Sequence, residues 1–212
     1  MSTLFLGAKA PVAGEVKTRL GAAIGMQRAA DLYAAFLDDL GARFRQAPFE
    51  VAWYVSPRPW PGLVATRVLV QRGEGWADRQ ANLFRVAAGR EPVVLAATDT
   101  PHLRPARVAR AFRALETNQL VLGPTYDGGY YLVGMRGFHD VLSGVAMSTE
   151  AALEQICLRA RALDLKVALL APEFDVDTEA DLVALARVVA RRSDLPATAA
   201  ALAMLVSPEA AA

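Results

Sequence analysis

The hydrophobic positions along the chain change period repeatedly. Leu4–Gly7 is a short apolar run, followed by the loop "KAPVAGEVKTRL" (9–20). Met26, Ala30, Tyr33, Phe36, Leu37, Leu40 and Phe44 then recur at helical spacing, which predicts one long amphipathic helix. "EVAWYVS" (50–56) and "RVLVQ" (67–71) are rich in β-branched and aromatic residues and read as strands, parted by the Pro-punctuated loop "PRPWPG". A helix over about 77–88 leads to the apolar run "PVVLAAT" (92–98), and a helix over about 105–115 precedes "QLVLG" (119–123). "YYLVGM" (130–135) follows a Gly-Gly turn, a helix over 149–162 leads to "KVALL" (166–170), and a helix over 178–191 follows. From 195 to 212 the Ala-rich tail reads as one last helix with a frayed end. The strands are apolar throughout instead of at every second residue, as in a sheet covered on both faces. The pattern predicts a single domain over 1–212, a three-layer α/β/α sandwich with a mostly parallel mixed sheet.

Composition narrows the function classes. The chain has 212 residues, 54% of them hydrophobic, enough for one sizeable core. A formal net charge of +1 gives no long-range field to draw in nucleic acid or an acidic membrane, so any basic function must be local. No apolar run approaches the roughly 18 residues of a membrane span. "STLFLGAK" is a poor signal peptide, and the single Cys157 rules out an internal disulfide, so a cytoplasmic protein is expected. The sequence is compatible with a homodimer without specifying one.

In open α/β sheets, ligands bind outside the carboxyl ends of the strands. The segments at those ends are Lys9–Arg19, Gly73–Asp78, Thr98–His102, Gly123–Gly129 and Phe174–Asp177. The first is not a Walker A loop, because Glu15 and Val16 separate Gly14 from Lys17 and Thr18. Backbone N–H groups of a Gly/Pro loop containing Pro11 and Gly14, together with Lys17 and Arg19, can still cradle a polyphosphate; the alternative is a solvated loop. "RGEGWAD" lacks the third glycine of a dinucleotide fingerprint and reads as a turn.

"LAATDTPHL" puts Thr98 and Asp99 at the end of a central strand. A carboxylate there is costly unless paired or bound to a metal, or it caps the next helix together with Thr100. In "FDVDTEADL", Thr178 and Asp181 form a capping-box pattern, while Asp175 and Asp177 alternate onto one strand face. Two adjacent carboxylates repel unless a cation separates them, and with Asp99 they suit Mg²⁺ or Mn²⁺. "GPTYDGGYYLVG" is a hairpin turn by its Asp-Gly; alternatively Gly128 and Gly129 admit a substrate close to the backbone and leave Asp127 to contact an acceptor hydroxyl. Cys157 lies in a helical pattern, and no Gly-x-Ser-x-Gly elbow is present.

Taken in order, "KAPVAGEVKTRL", "TDTPHL", "GPTYDGGYYLVG" and "FDVDTEADL" resemble a bacterial family of glycosyltransferase-like proteins with the GT-A, nucleotide-diphospho-sugar transferase fold. The resemblance spans about 4–190. "VKTRL" is also similar to the loop of 2-phospholactate guanylyltransferases, and "TDTPHL" to the Asp-x-Pro segment of molybdenum-cofactor guanylyltransferases. It implies that Lys9, Gly14, Lys17 and Arg19 hold nucleotide phosphates, with Pro11 and Thr98 beside them. It further implies a metal on Asp99 and Asp177, with Asp175 adjoining. Lys17, Arg19 and Asp127 are the candidate catalytic groups. Ala97 stands where relatives often have Gly, Met147 where an aromatic is common, and the "GWADR" stretch lacks an acid that relatives tend to carry near Gly75. Three readings stay open: nucleotidyl transfer from an NTP to a small-molecule acceptor, glycosyl transfer from a nucleotide-sugar, and nucleotide binding without catalysis. Asp99 is followed two residues later by Pro101 instead of a second acid, which favours the first.

Overall fold

The computed structural model describes residues 1–147 and 149–206; the expected frayed end of the tail lies outside these. Seven strands form one sheet in the order β3 (Val68–Val70), β2 (Glu50–Ser56), β1 (Thr3–Lys9), β4 (Val93–Ala97), β6 (Tyr130–Met135), β5 (Leu120–Pro124), β7 (Val167–Leu169). Only β6 runs antiparallel to its neighbours, and the other pairs are parallel. The mixed, mostly parallel sheet expected from the continuous apolar runs is therefore present.

Each central strand contributes to two cores. Leu4, Leu6, Trp53, Val55, Val94, Ala96 and Val121 face the layer made by α2 (Met26–Phe44), α4 (Pro105–Ala114) and α6 (Glu179–Val189). Phe5, Tyr54, Val93, Leu95, Leu122 and Val133 face the opposite layer, made by α3 (Trp76–Ala87) and α5 (Ala152–Ala162). Successive side chains of a strand point to opposite faces, so a strand buried on both must be apolar at every position. A last helix, α7 (Pro196–Val206), packs on α2, where buried Asp39 accepts the backbone N–H of Ala197 and Thr198 at 3.0 and 2.8 Å. That carboxylate supplies partners for a helix start that the sequence of α7 does not cap itself.

Two departures from the sequence reading, and one agreement with it, matter. A seven-residue helix, α1 (Thr18–Ile24), closes the first loop; it buries only Leu20 and Gly21, too few positions to show a period. Segment 125–129 is the hairpin turn between β5 and β6, with Thr125 N–H donating to Gly129 O at 3.0 Å. The segment carrying Asp175 and Asp177 is not a strand. It touches the sheet edge through a bridge between Thr125 and Glu173, and Val176 N–H donates to Asp99 O at 2.9 Å. Among the described residues, no helix is long and apolar enough to cross a membrane.

Candidate functional site

The first loop leaves β1 at Lys9 and turns tightly, with Val12 N–H donating to Ala10 O and Glu15 N–H to Val12 O. Gly14 has φ +80°, where a glycine is unstrained. Lys17 has φ +47°, ψ +40°, a left-handed conformation that an L side chain adopts only when its surroundings demand it. The demand is visible. Lys17 is the residue before α1, and its side chain is 4% exposed. Its Nζ contacts Asp99 Oδ1 and donates to Asp177 Oδ1 at 2.8 Å. Burial alone would lower the Lys17 pKa, but the charges of Asp99 and Asp177 and their hydrogen bonds outweigh it and hold the ammonium well above its usual range.

Tyr33 of α2 supports this arrangement from below. The Lys17 ammonium lies 5.8 Å from the centre of its ring. Lys9 N–H donates to Tyr33 Oη at 3.2 Å, Tyr33 Oη and Thr98 Oγ1 are 2.8 Å apart, and Thr98 Oγ1 donates to Gly7 O at 2.9 Å. A continuous donor chain therefore ties the end of β1, helix α2 and the end of β4 together. Burial, then the Asp99 charge, pushes the Tyr33 phenol up to about 12, so its proton stays in that chain. Tyr33 reads from sequence as a core position only; the signal available was a hydroxyl on an otherwise apolar helix face. Thr98, expected beside the nucleotide, has its hydroxyl buried and bonded to the scaffold.

The alternative role for Asp99 as a helix cap does not hold. Arg104 is the residue before α4, and no side chain caps that helix. The capping box on α6 is present, with Thr178 N–H donating to Asp181 Oδ2 at 2.7 Å. Asp177, directly before Thr178, is thus fixed by a helix start while its carboxylate faces Lys17.

Asp175 lies nearby. Burial, then the charges of Asp127 and Asp177, raises its carboxyl to about 6. Asp99 and Asp177 converge on one cationic point, occupied by an ammonium, and both remain about two-fifths exposed on the outer side. That donor set fits Mg²⁺ or Mn²⁺, which take one or two protein carboxylates plus phosphate oxygens. Among the described residues, no three His, Cys, Asp or Glu side chains converge to hold a metal by themselves. A metal there would take its remaining ligands from substrate and water.

The other expected residues are placed as follows. Arg19 is 73% exposed, and its Nη1 is 4.0 Å from Asp177 Oδ2, a weak pair that leaves it available. Lys9 is exposed and Pro11 half-buried at the start of the loop. Asp127 Oδ1 accepts from Thr125 Oγ1 at 2.5 Å and from Gly129 N–H at 3.1 Å, so half of that carboxylate builds the turn. The close approach expected at Gly128 is made by the chain itself: a Cβ there would lie 2.0 Å from Glu150 O. At Gly129 a Cβ would meet Thr125 Oγ1 at 2.9 Å, so both glycines serve the turn's own packing. Gly73 and Gly75 form a turn into α3, with Gly75 before its first residue.

A mixed seven-stranded sheet with helices on both faces matches the nucleotide-diphospho-sugar transferase fold. The model of a family described as "Uncharacterized protein conserved in bacteria (DUF2064)" matches residues 58–149. A solved structure from Desulfovibrio desulfuricans G20, provisionally assigned as a nucleotide-diphospho-sugar transferase, aligns with a TM-score of 0.83 and 27% identity over 96% of this chain and 97% of that one. The 2-C-methyl-D-erythritol 4-phosphate cytidylyltransferase of Thermus thermophilus aligns with a TM-score of 0.53 and 22% identity, over 91% of this chain and all (100%) of that one. CMP:2-keto-3-deoxy-manno-octonic acid synthetase, solved with CTP, aligns with a TM-score of 0.52 and 14% identity over 90% and 98% of the two chains. These last two share the fold. A comparison with curated proteins finds no match.

Proposed function

We propose that the chain is a metal-dependent nucleotidyltransferase, which transfers a nucleoside monophosphate from an NTP to a small-molecule acceptor and releases pyrophosphate. The observation that carries this reading is Lys17, buried and charged between Asp99 and Asp177 beyond the carboxyl ends of β1 and β4. An ammonium already stripped of water can exchange carboxylate for phosphate oxygens at little further desolvation cost. Exposed Arg19 adds a second charge at the rim of the loop. In this reaction an acceptor oxygen attacks the α-phosphorus, the bond to the bridging oxygen breaks, and pyrophosphate leaves with that electron pair. Lys17 and Arg19 neutralise the leaving group. Asp127, with one oxygen tied into its turn, offers the other to the acceptor. A Mg²⁺ or Mn²⁺ ion on Asp99 and Asp177 would polarise the phosphoryl oxygens.

Glycosyl transfer is the second reading, favoured by the provisional assignment of the D. desulfuricans structure. Against it, Asp99 has Pro101 two residues on, where many glycosyltransferases carry a second acid. Calorimetry with each NTP and its matching nucleotide-sugar at fixed Mg²⁺ separates the two. Tighter binding of an NTP, lost in Asp99→Asn, is expected. A consistent preference for the nucleotide-sugar reverses the ranking, and metal-dependent NTP binding that survives in Asp99→Asn removes that residue from the site.

A further inference from the structure

A cavity of about 460 Å³ opens between the first turns of α4 and the end of α6, and it shares no lining residue with the site above. Five arginines line it: Arg104, Arg107 and Arg110 from the start of α4, and Arg191 and Arg192 just beyond α6. The only acid among its lining residues is Glu173. Arg107 Nη2 pairs with Glu173 Oε1 at 2.7 Å, and Arg192 with Asp194 at 2.6 Å. Among the described residues, Arg104, Arg110 and Arg191 enter no ion pair.

The walls are held in place. The His102 ring stacks on Phe174 with centroids 4.1 Å apart, and its Nε2 is 3.2 Å from Glu173 Oε2. Arg43 donates to Pro101 O and Leu103 O at 2.7 and 2.9 Å, and Arg192 donates to His102 O. Five guanidinium groups gathered around one fixed hollow, on a chain of net charge +1, repel one another, and Glu173 and Asp194 offset only part of that charge. The volume falls in the range of small-molecule pockets, and guanidinium forks match phosphate oxygens two at a time.

We infer that this cavity is a second ligand site, independent of nucleotide transfer, that takes a small molecule bearing a diphosphate or two closely spaced phosphates. Arg104, Arg110 and Arg191 supply the uncompensated charge, while Arg107 and Arg192 are oriented by Glu173 and Asp194. An acidic macromolecule such as single-stranded nucleic acid is less well matched, because the five arginines gather around one hollow of small-molecule size.

The test is calorimetry with inorganic pyrophosphate in the absence of divalent metal. The wild-type protein should bind, and the double variant Arg110→Glu, Arg191→Glu should bind at least tenfold more weakly. Arg113→Glu, on the same helix but outside the cavity, should retain wild-type affinity. Circular dichroism melts of each variant report that the fold is kept. No binding by wild type, unchanged binding in the double variant, or equal loss in Arg113→Glu overturns the inference. A labelled single-stranded oligonucleotide that binds more tightly than pyrophosphate, and is lost in the same double variant, overturns the small-molecule assignment.

Discussion

Replacing Lys17 with Met removes the cation between Asp99 and Asp177 while keeping an unbranched side chain of similar length. Breaking a fully buried pair costs roughly 3–5 kcal/mol, because the remaining charge is stranded. Here the remaining carboxylates are 42% and 39% exposed, so water screens much of that loss. Exposed pairs contribute only about 0.2–1 kcal/mol each. Two half-exposed pairs on one buried ammonium place the loss at about 1–2 kcal/mol, or roughly 2–8 °C in Tm for a chain of this length. Lys17 has a raised pKa, so its contribution is complete below the unfolded value and lost only as pH rises through the folded one. The loss in the variant should therefore be the same from about pH 6 to pH 8. Without the ammonium, Asp99 and Asp177 face each other unneutralised, so Mg²⁺ alone should raise the Tm of Lys17→Met more than that of wild type. NTP affinity should fall by roughly 1.5–3 kcal/mol, about 10- to 150-fold. Differential scanning calorimetry in EDTA and in Mg²⁺, with titration calorimetry for the NTP, measures all three. An unchanged Tm in EDTA, no added response to Mg²⁺ and unchanged NTP affinity together would refute the paired-carboxylate account of the loop.

Two further outcomes follow from the same region. Asp175 has a carboxyl raised to about 6 by burial and its acidic neighbours, so its ionisation costs the fold stability, a cost that is complete above that pH and fades toward the ordinary carboxylate range. Asp175→Asn in EDTA should raise Tm at pH 8, and the gain should fade as pH drops below about 6; a gain independent of pH would mean that charge is not the cause. At Gly128, φ is +86° and an added Cβ would sit 2.0 Å from Glu150 O, so Gly128→Ala should destabilise by more than about 2 kcal/mol in urea unfolding. A loss under about 0.5 kcal/mol would show that the segment near Glu150 yields freely.

Local pattern carried much of the architecture. The continuous apolar strands foretold a sheet covered on both faces, and Leu4–Leu6 and Val93–Ala96 are indeed buried at every position. Thr178 and Asp181 gave the start of α6 because a capping box is a contact between residues three apart, complete within the sequence window. The alternation read into Asp175 and Asp177 failed because an "F-D-V-D" run satisfies the strand period whether or not a neighbouring strand is there to pair with it. The Asp-Gly pair gave the hairpin correctly, but not that Glu150, more than twenty residues on, fills the space above Gly128.

The sequence by itself determined which residues carry charge at strand ends, because a loop's chemistry is written in its own residues. It placed Lys17, Asp99 and Asp177 among the candidates with no contact known between them. Tertiary structure decided that these three meet, across 160 residues between Lys17 and Asp177. It also decided that Lys17 takes a left-handed backbone to do so, and that Thr98 turns inward toward Tyr33. Those outcomes depend on the strand order, which brings β1 beside β4, and on where α6 begins relative to them. Long-range pairing, burial and the electrostatic work of burying an ammonium are properties of the assembled sheet. No window of neighbouring residues contains them.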